Sequence, residues 1–196
     1  MPRIILNAAM SLDAYIEGPN GEFDWCFTDQ DYGMTDFLKS IDYIFYGRKS
    51  YELMLRMKEE SFRSFKNCVF SKTLKSAEDG WQLIDGPLIE EVQKLQKSTQ
   101  KNIWLFGGSS LVQSFIETKL LDECILAVHP ILLGAGKPLF SLTGRIRLSL
   151  INSITYSSGL VQTSNQTVDS CFFICSRNFI FFRTLKSEGF ISVETN

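Results

Sequence analysis

Apolar and polar positions follow two rhythms over the first two-thirds of the chain, and the two take turns. Short runs rich in β-branched and aromatic residues alternate with stretches whose apolar positions recur every three or four residues. Ile4 to Met10 reads as a first strand, and Tyr43-Ile44-Phe45-Tyr46 as a second, closed by Gly47. Cys68-Val69-Phe70, Trp81-Gln82-Leu83-Ile84, Ile103-Trp104-Leu105-Phe106 and Cys124 to Val128 read as four more. Helical spacing fills the gaps: Asp36 to Ile41 reads as the end of a helix, Arg48 to Met57 as a whole one, and Ser109 to Lys119 as another. Pro87 suits a first helical turn, with Leu88, Ile89, Val92 and Leu95 inward and Glu90, Glu91, Lys94 and Lys97 outward. Strands alternating with helices predict an α/β fold, a mixed but mostly parallel sheet with helices on both faces.

Beyond Gly136 the alternation stops. Arg147 to Tyr156 and Gly159 to Gln162 read as two strands joined by the turn Ser157-Ser158-Gly159, so the sheet is expected to close on an antiparallel hairpin. Residues 163–196 form an atypical tail: a polar stretch, Thr163 to Thr167, then the Phe-rich run Cys171 to Phe182, expected as an added hairpin or a surface-packed extension. With 196 residues and 44% hydrophobic content, the chain has material for one core, hence one domain over 1–162 followed by the tail.

Charge narrows the partners. A net charge of −2 gives no basic field for a nucleic-acid backbone. The apolar runs are too short for a secretory leader or a membrane span, so a cytoplasmic, membrane-free protein is expected. Five cysteines, at 26, 68, 124, 171 and 175, are scattered without a CxxC pair, and His129 is the sole histidine. They read as reduced thiols, and no metal site is expected.

Three strand ends carry groups suited to phosphate. In Phe106-Gly107-Gly108-Ser109-Ser110 a glycine pair leads into a helix start, where free N–H groups attract anions. The same residues would also serve a plain tight turn with a serine cap. Gly47-Arg48-Lys49-Ser50 places two cations and a hydroxyl at a second strand end, and Ser71-Lys72 a hydroxyl and a cation at a third. Each alone fits a solvated surface, but ligands of open α/β sheets collect at the carboxyl ends of strands. There is no GxGxxG, and the cations suit an extra phosphate, which favours NADPH over NADH.

Taken in order, Met10-Ser11-Leu12-Asp13, Gly47-Arg48-Lys49-Ser50-Tyr51-Glu52, Val69-Phe70-Ser71-Lys72-Thr73-Leu74, Trp104-Leu105-Phe106-Gly107-Gly108-Ser109 and His129-Pro130-Ile131-Leu132-Leu133-Gly134-Ala135-Gly136-Lys137-Pro138-Leu139-Phe140 resemble a known family. It is the dihydrofolate-reductase-like proteins that include the riboflavin-biosynthesis reductase, the C-terminal domain of RibD. The resemblance runs over roughly residues 3–162. It implies a three-layer fold, NADPH as cofactor, and often a homodimer. It assigns Gly107, Gly108, Ser109 and Ser110 to the pyrophosphate, and Arg48, Ser50, Ser71 and Lys72, beside Gly47, to the adenosine end. Two departures stand out: Ala14 where family members commonly have Gly, and Thr163-Ser164-Asn165-Gln166 where apolar alternation usually continues.

Asp13, just after the first strand, is the candidate catalytic group, as substrate orienter or proton source; a turn-capping carboxylate fits equally. Asp24 and Trp25, beyond the turn-rich Glu17-Gly18-Pro19-Asn20-Gly21, are candidate substrate-binding residues, although Trp25 also suits a core or lid anchor. His129, in an apolar run, reads as structural rather than as a general acid. The expected activity is hydride transfer from NADPH to a small heterocyclic or ribosyl substrate, similar to 5-amino-6-(5-phosphoribosylamino)uracil reduction. HxE and PCxxC, the zinc-deaminase signature, are absent. The alternatives are a nucleotide-binding stress or regulatory protein without turnover, and an interaction protein whose contact is the Phe-rich tail.

Overall fold

The computed structural model describes residues 1–142 and 144–168. In chain order the elements are β1 (Ile4–Ser11), β2 (Tyr15–Glu17), α1 (Met34–Lys39), β3 (Ile41–Gly47), α2 (Arg48–Met57), β4 (Lys66–Phe70), β5 (Trp81–Ile84), α3 (Leu88–Lys97), β6 (Asn102–Gly107), α4 (Ser109–Glu117), β7 (Glu123–His129), β8 (Lys137–Pro138), β9 (Leu148–Thr155) and β10 (Val161–Thr167). Eight strands form one sheet in the order β5-β4-β3-β6-β1-β7-β10-β9, and β2 pairs with β8 in a small second sheet. From β5 to β7 all neighbours are parallel, and β10 and β9 close the sheet antiparallel.

Alternation along a central strand supplies both cores. In β6, Ile103 and Leu105 point to one face, where they pack with Val92 and Leu95 of α3 and Val112 and Phe115 of α4. Trp104 and Phe106 point to the other, among Tyr51 and Met54 of α2 and Phe37 and Leu38 of α1. A strand buried on both faces has no polar alternation, which explains why Ile103 to Phe106 is an unbroken apolar run.

Three expectations need correction. Ile89, read as part of the buried stripe of α3, is exposed, because the inward line runs through Leu88, Val92 and Leu95. Pro87 is the N-cap of α3 rather than a residue of its first turn; its carbonyl accepts from Glu91 N at 3.1 Å. The polar residues Thr163 to Thr167 are the second half of β10 and not the start of a tail. They pair with Glu123–Leu126 on one side and with β9 on the other, and such a ladder bonds backbone whatever the side chains are. Asn165 Nδ2 donates to Thr163 Oγ1 (3.0 Å) and Thr167 Oγ1 to Leu121 O (2.8 Å), so the polar groups find partners in place. The Phe-rich run lies outside the described residues, as do Cys171 and Cys175.

Candidate cofactor and substrate clefts

Two strand-to-helix turns abut at the carboxyl edge of the sheet. Tyr46 of β3 is in register with Gly107 of β6, and a Cβ on Gly47 would stand 3.5 Å from both Gly107 O and Gly108 N. Gly107 has φ +102°, a conformation open to glycine and strained for other residues, and the Gly107–Gly108 peptide is cis. Gly108 O accepts from Leu111 N and Val112 N, starting α4, while the N–H groups of Ser109 and Ser110, at the helix start, have no intrahelical acceptor. Ser109 Oγ is buried without a hydrogen-bond partner among the described residues.

A cleft of about 560 Å³ lies over this turn, lined by Gly47, Arg48, Lys49, Gly108, Ser109, Ser110 and Lys137. The cations and helix-opening N–H groups make it anion-attracting. Arg48 donates from Nε to Glu52 Oε1 (2.6 Å) and from Nη1 to Thr73 Oγ1 (2.8 Å), half exposed, so an incoming phosphate competes only with a weak surface pair. Gly108 has an ordinary φ of −64°, so its missing side chain is not a backbone requirement. A Cβ there would project between Ser50 Oγ and Lys137 Nζ, each 3.5 Å away, into the mouth of the cleft.

Ser71 and Lys72 do not join this group. Ser71 Oγ accepts from Thr73 N and Leu74 N, closing its own turn, and Lys72 Nζ donates to the carbonyls of Asp85 and Gly86. Neither lines this cleft or the larger one beside it. Lys49 and Lys137 line the anion-attracting cleft beside Arg48. Lys137 stood inside the motif His129 to Phe140, but only the β2–β8 pairing brings it across to the glycine turn. That pairing is close: a Cβ on Gly136 would meet Glu17 O at 2.1 Å.

The second cleft, about 680 Å³, adjoins the first through Gly108, Ser109 and Lys137. Its floor is the α1/α2 face of the sheet, with Asn7, Ala9, Trp104, Phe106, Ala127 and Gln162; Phe23 and Phe27 from the long loop and Leu53 and Met57 from α2 form its walls. His129 is buried at its edge with both ring nitrogens engaged, Nδ1 toward Ala127 O (3.1 Å) and Nε2 accepting from Phe27 N (3.1 Å). It is a clamp for the loop, in keeping with the structural reading. Cys26 also lines the cleft, but burial, with Asp24 adding to it, pushes its thiol up to about 11, so it is no thiolate nucleophile at neutral pH.

The residues expected to touch substrate are placed differently. Asp24 is exposed and Trp25 packs edge-on against the His129 ring at 5.2 Å, so neither lines the cleft. Their neighbours do, because a turn from Phe23 O to Cys26 N rotates the phenylalanines inward. Asp13 lines neither cleft. Its carboxylate accepts from Ser11 Oγ (2.6 Å), Leu133 N (3.1 Å) and Gly134 N (2.8 Å), fastening loop 131–134 to the end of β1. The Ser11 hydrogen bond first, then those from Gly134 and Leu133, hold it below the usual carboxylate range.

This sheet order, helix placement and cleft position define a dihydrofolate-reductase-like protein. The model of the RibD C-terminal domain matches residues 2–162, and the chain belongs to that family. It is 46% identical over 173 residues to protein YyaP of Bacillus subtilis, covering 82% of this chain and 92% of that one. Among solved structures, a Shewanella sp. PV-4 protein assigned by name to riboflavin biosynthesis superposes with TM-score 0.77 at 26% identity, over 85% of this chain and 99% of that one. The fold alone is shared with Enterococcus faecalis dihydrofolate reductase complexed with NADP(H), at TM-score 0.65 and 12% identity, over 85% of this chain and 97% of that one. It is also shared with the Thermotoga maritima deaminase and 5-amino-6-(5-phosphoribosylamino)uracil reductase, at TM-score 0.67 and 14% identity, over 85% of this chain and 57% of that one.

Proposed function

We propose that the protein is an NADPH-dependent reductase of a small heterocyclic substrate. The observation that carries this reading is the junction at Gly108 and Ser109, where an anion-attracting cleft opens directly into an apolar one. The N–H groups of Ser109 and Ser110, with the unpartnered Ser109 Oγ, fit the pyrophosphate, and Arg48 and Lys49 fit the additional phosphate that separates NADPH from NADH. Bound there, the cofactor supplies a hydride. The chain's own work is positional. Gly108 leaves room at the junction, the sheet floor sets the substrate plane, and the loop clamped by His129 keeps water out.

Substrate-dependent loss of NADPH absorbance across a panel of heterocycles tests the reading; binding without oxidation would select the regulatory alternative. A homodimer belongs to the same proposal, with a second copy against β9. Leu148, Leu150, Ile151 and Ile154 are exposed on that strand, which ends the sheet. A cytoplasmic address is likewise proposed; no helix among the described residues is long and apolar enough to cross a membrane.

A further inference from the structure

The substrate cleft carries little charge for its size. Among the described residues its charged lining groups are Glu17, Asp31 and Lys137, and Lys137 Nζ already lies 3.4 Å from Glu17 Oε1. The lining is therefore net negative by one charge. Arg48 and Lys49 stand at the other cleft. A phosphate ester carries nearly two negative charges at neutral pH and needs cations or free N–H groups, and the described residues offer this cavity neither away from the cofactor junction.

Its shape and polar groups suit something else. The phenyl rings of Phe23 and Phe27 are partly exposed toward the opening, a wall on which a flat ring can stack. On the floor, Gln162 donates to Tyr32 O (3.2 Å) and accepts from Tyr156 Oη (3.5 Å), and His129 is engaged on both sides. Asn7 is different. Ile4 and Leu6 of β1 point into the α3/α4 core, so alternation sends the Asn7 side chain to the cleft face. Its backbone oxygen accepts from Trp104 Nε1 (3.1 Å), but no described residue bonds its carboxamide. A carboxamide offers one acceptor beside donors, the complement of a ring amide, and a site built to pair such an edge rejects rings that lack it.

We propose that the substrate is an uncharged flat heterocycle with an amide edge and no phosphate, and that Asn7 reads that edge. This rests on the reductase reading above and narrows it, since the fold-related Thermotoga enzyme is named for a phosphoribosyl substrate. The test titrates 5,6-diaminouracil and 5-amino-6-(5-phosphoribosylamino)uracil calorimetrically into the full chain, with and without saturating NADP⁺. The free base is expected to bind at least ~10-fold more tightly than the phosphorylated form, with Asn7→Leu lowering base affinity ~10-fold and leaving NADP⁺ affinity within about twofold. Tighter binding of the phosphorylated form, no binding of the base, or an Asn7→Leu variant with unchanged base affinity would overturn it. Failure of NADP⁺ to bind would instead remove the reductase reading, and the cofactor-free titration would still report the ring preference.

Discussion

At the residue scale, Ala14 and Asp13 share one turn and illustrate different debts to it. Ala14 sits at φ 66°, where a side chain costs about 1 kcal/mol relative to glycine. Ala14→Gly is therefore expected to stabilise the protein by about 1 kcal/mol, raising Tm by roughly 2–4 °C in a thermal melt; an unchanged or lower Tm would mean the methyl group packs usefully. Asp13 titrates below its unfolded value of about 3.9, so its stabilisation is complete above that pH and is lost as pH falls through the lower folded value. The amide resonances of Leu133 and Gly134 should follow that transition on acidification. Asp13→Asn should loosen loop 131–134 while sparing turnover, and a large loss of turnover with the loop intact would restore the catalytic expectation.

At the element scale, the sequence disclosed most strands and helices because buried parallel strands and amphipathic helices have strong periodicities. β2, β8 and the end of β10 were not legible: the first two are two or three residues long, and the last is held by backbone ladders that leave no apolar mark. The anion-attracting cleft was legible where it lies on contiguous motifs, at Gly47 to Lys49 and Gly108 to Ser110, whereas Ser50, expected beside Arg48, lines the second cleft. Lys72 misled because its pairing with the Asp85 and Gly86 carbonyls is a tertiary fact. Asn7 had a signal, an amide inside the apolar run Ile4 to Met10, whose meaning depended on which face became the cleft. β10 gives a direct comparison. Compared with a chain ended after Val168, one ended after Gln162 strips β7 of its Glu123–Leu126 partners and should have a markedly lower Tm or be insoluble. Equal melting of the two truncations would show that the polar half of β10 adds nothing.

At the scale of the whole molecule, the fold divides its labour across the sheet. The β5-to-β7 part, parallel and covered by helices, builds the clefts at its carboxyl edge. The antiparallel end carries β9, whose eight residues are all exposed. A second copy packed there predicts a dimer mass in light scattering, and Leu150→Glu combined with Ile154→Glu should shift it to monomer without changing the circular dichroism spectrum. A monomeric wild type would leave β9 to another role.

Calorimetry with NADPH and NADH on wild type, Arg48→Ala and Gly108→Ala separates recognition of the additional phosphate from recognition of the shared pyrophosphate. Gly108 has an ordinary backbone, so Gly108→Ala should stay folded while its Cβ, standing at the cleft mouth, weakens both dinucleotides. Arg48→Ala should cost NADPH about 1.5–3 kcal/mol and NADH little. Wild type is expected to prefer NADPH, and the preference to disappear in Arg48→Ala. A folded wild type that binds neither dinucleotide, or an Arg48→Ala variant that loses both equally, would contradict it.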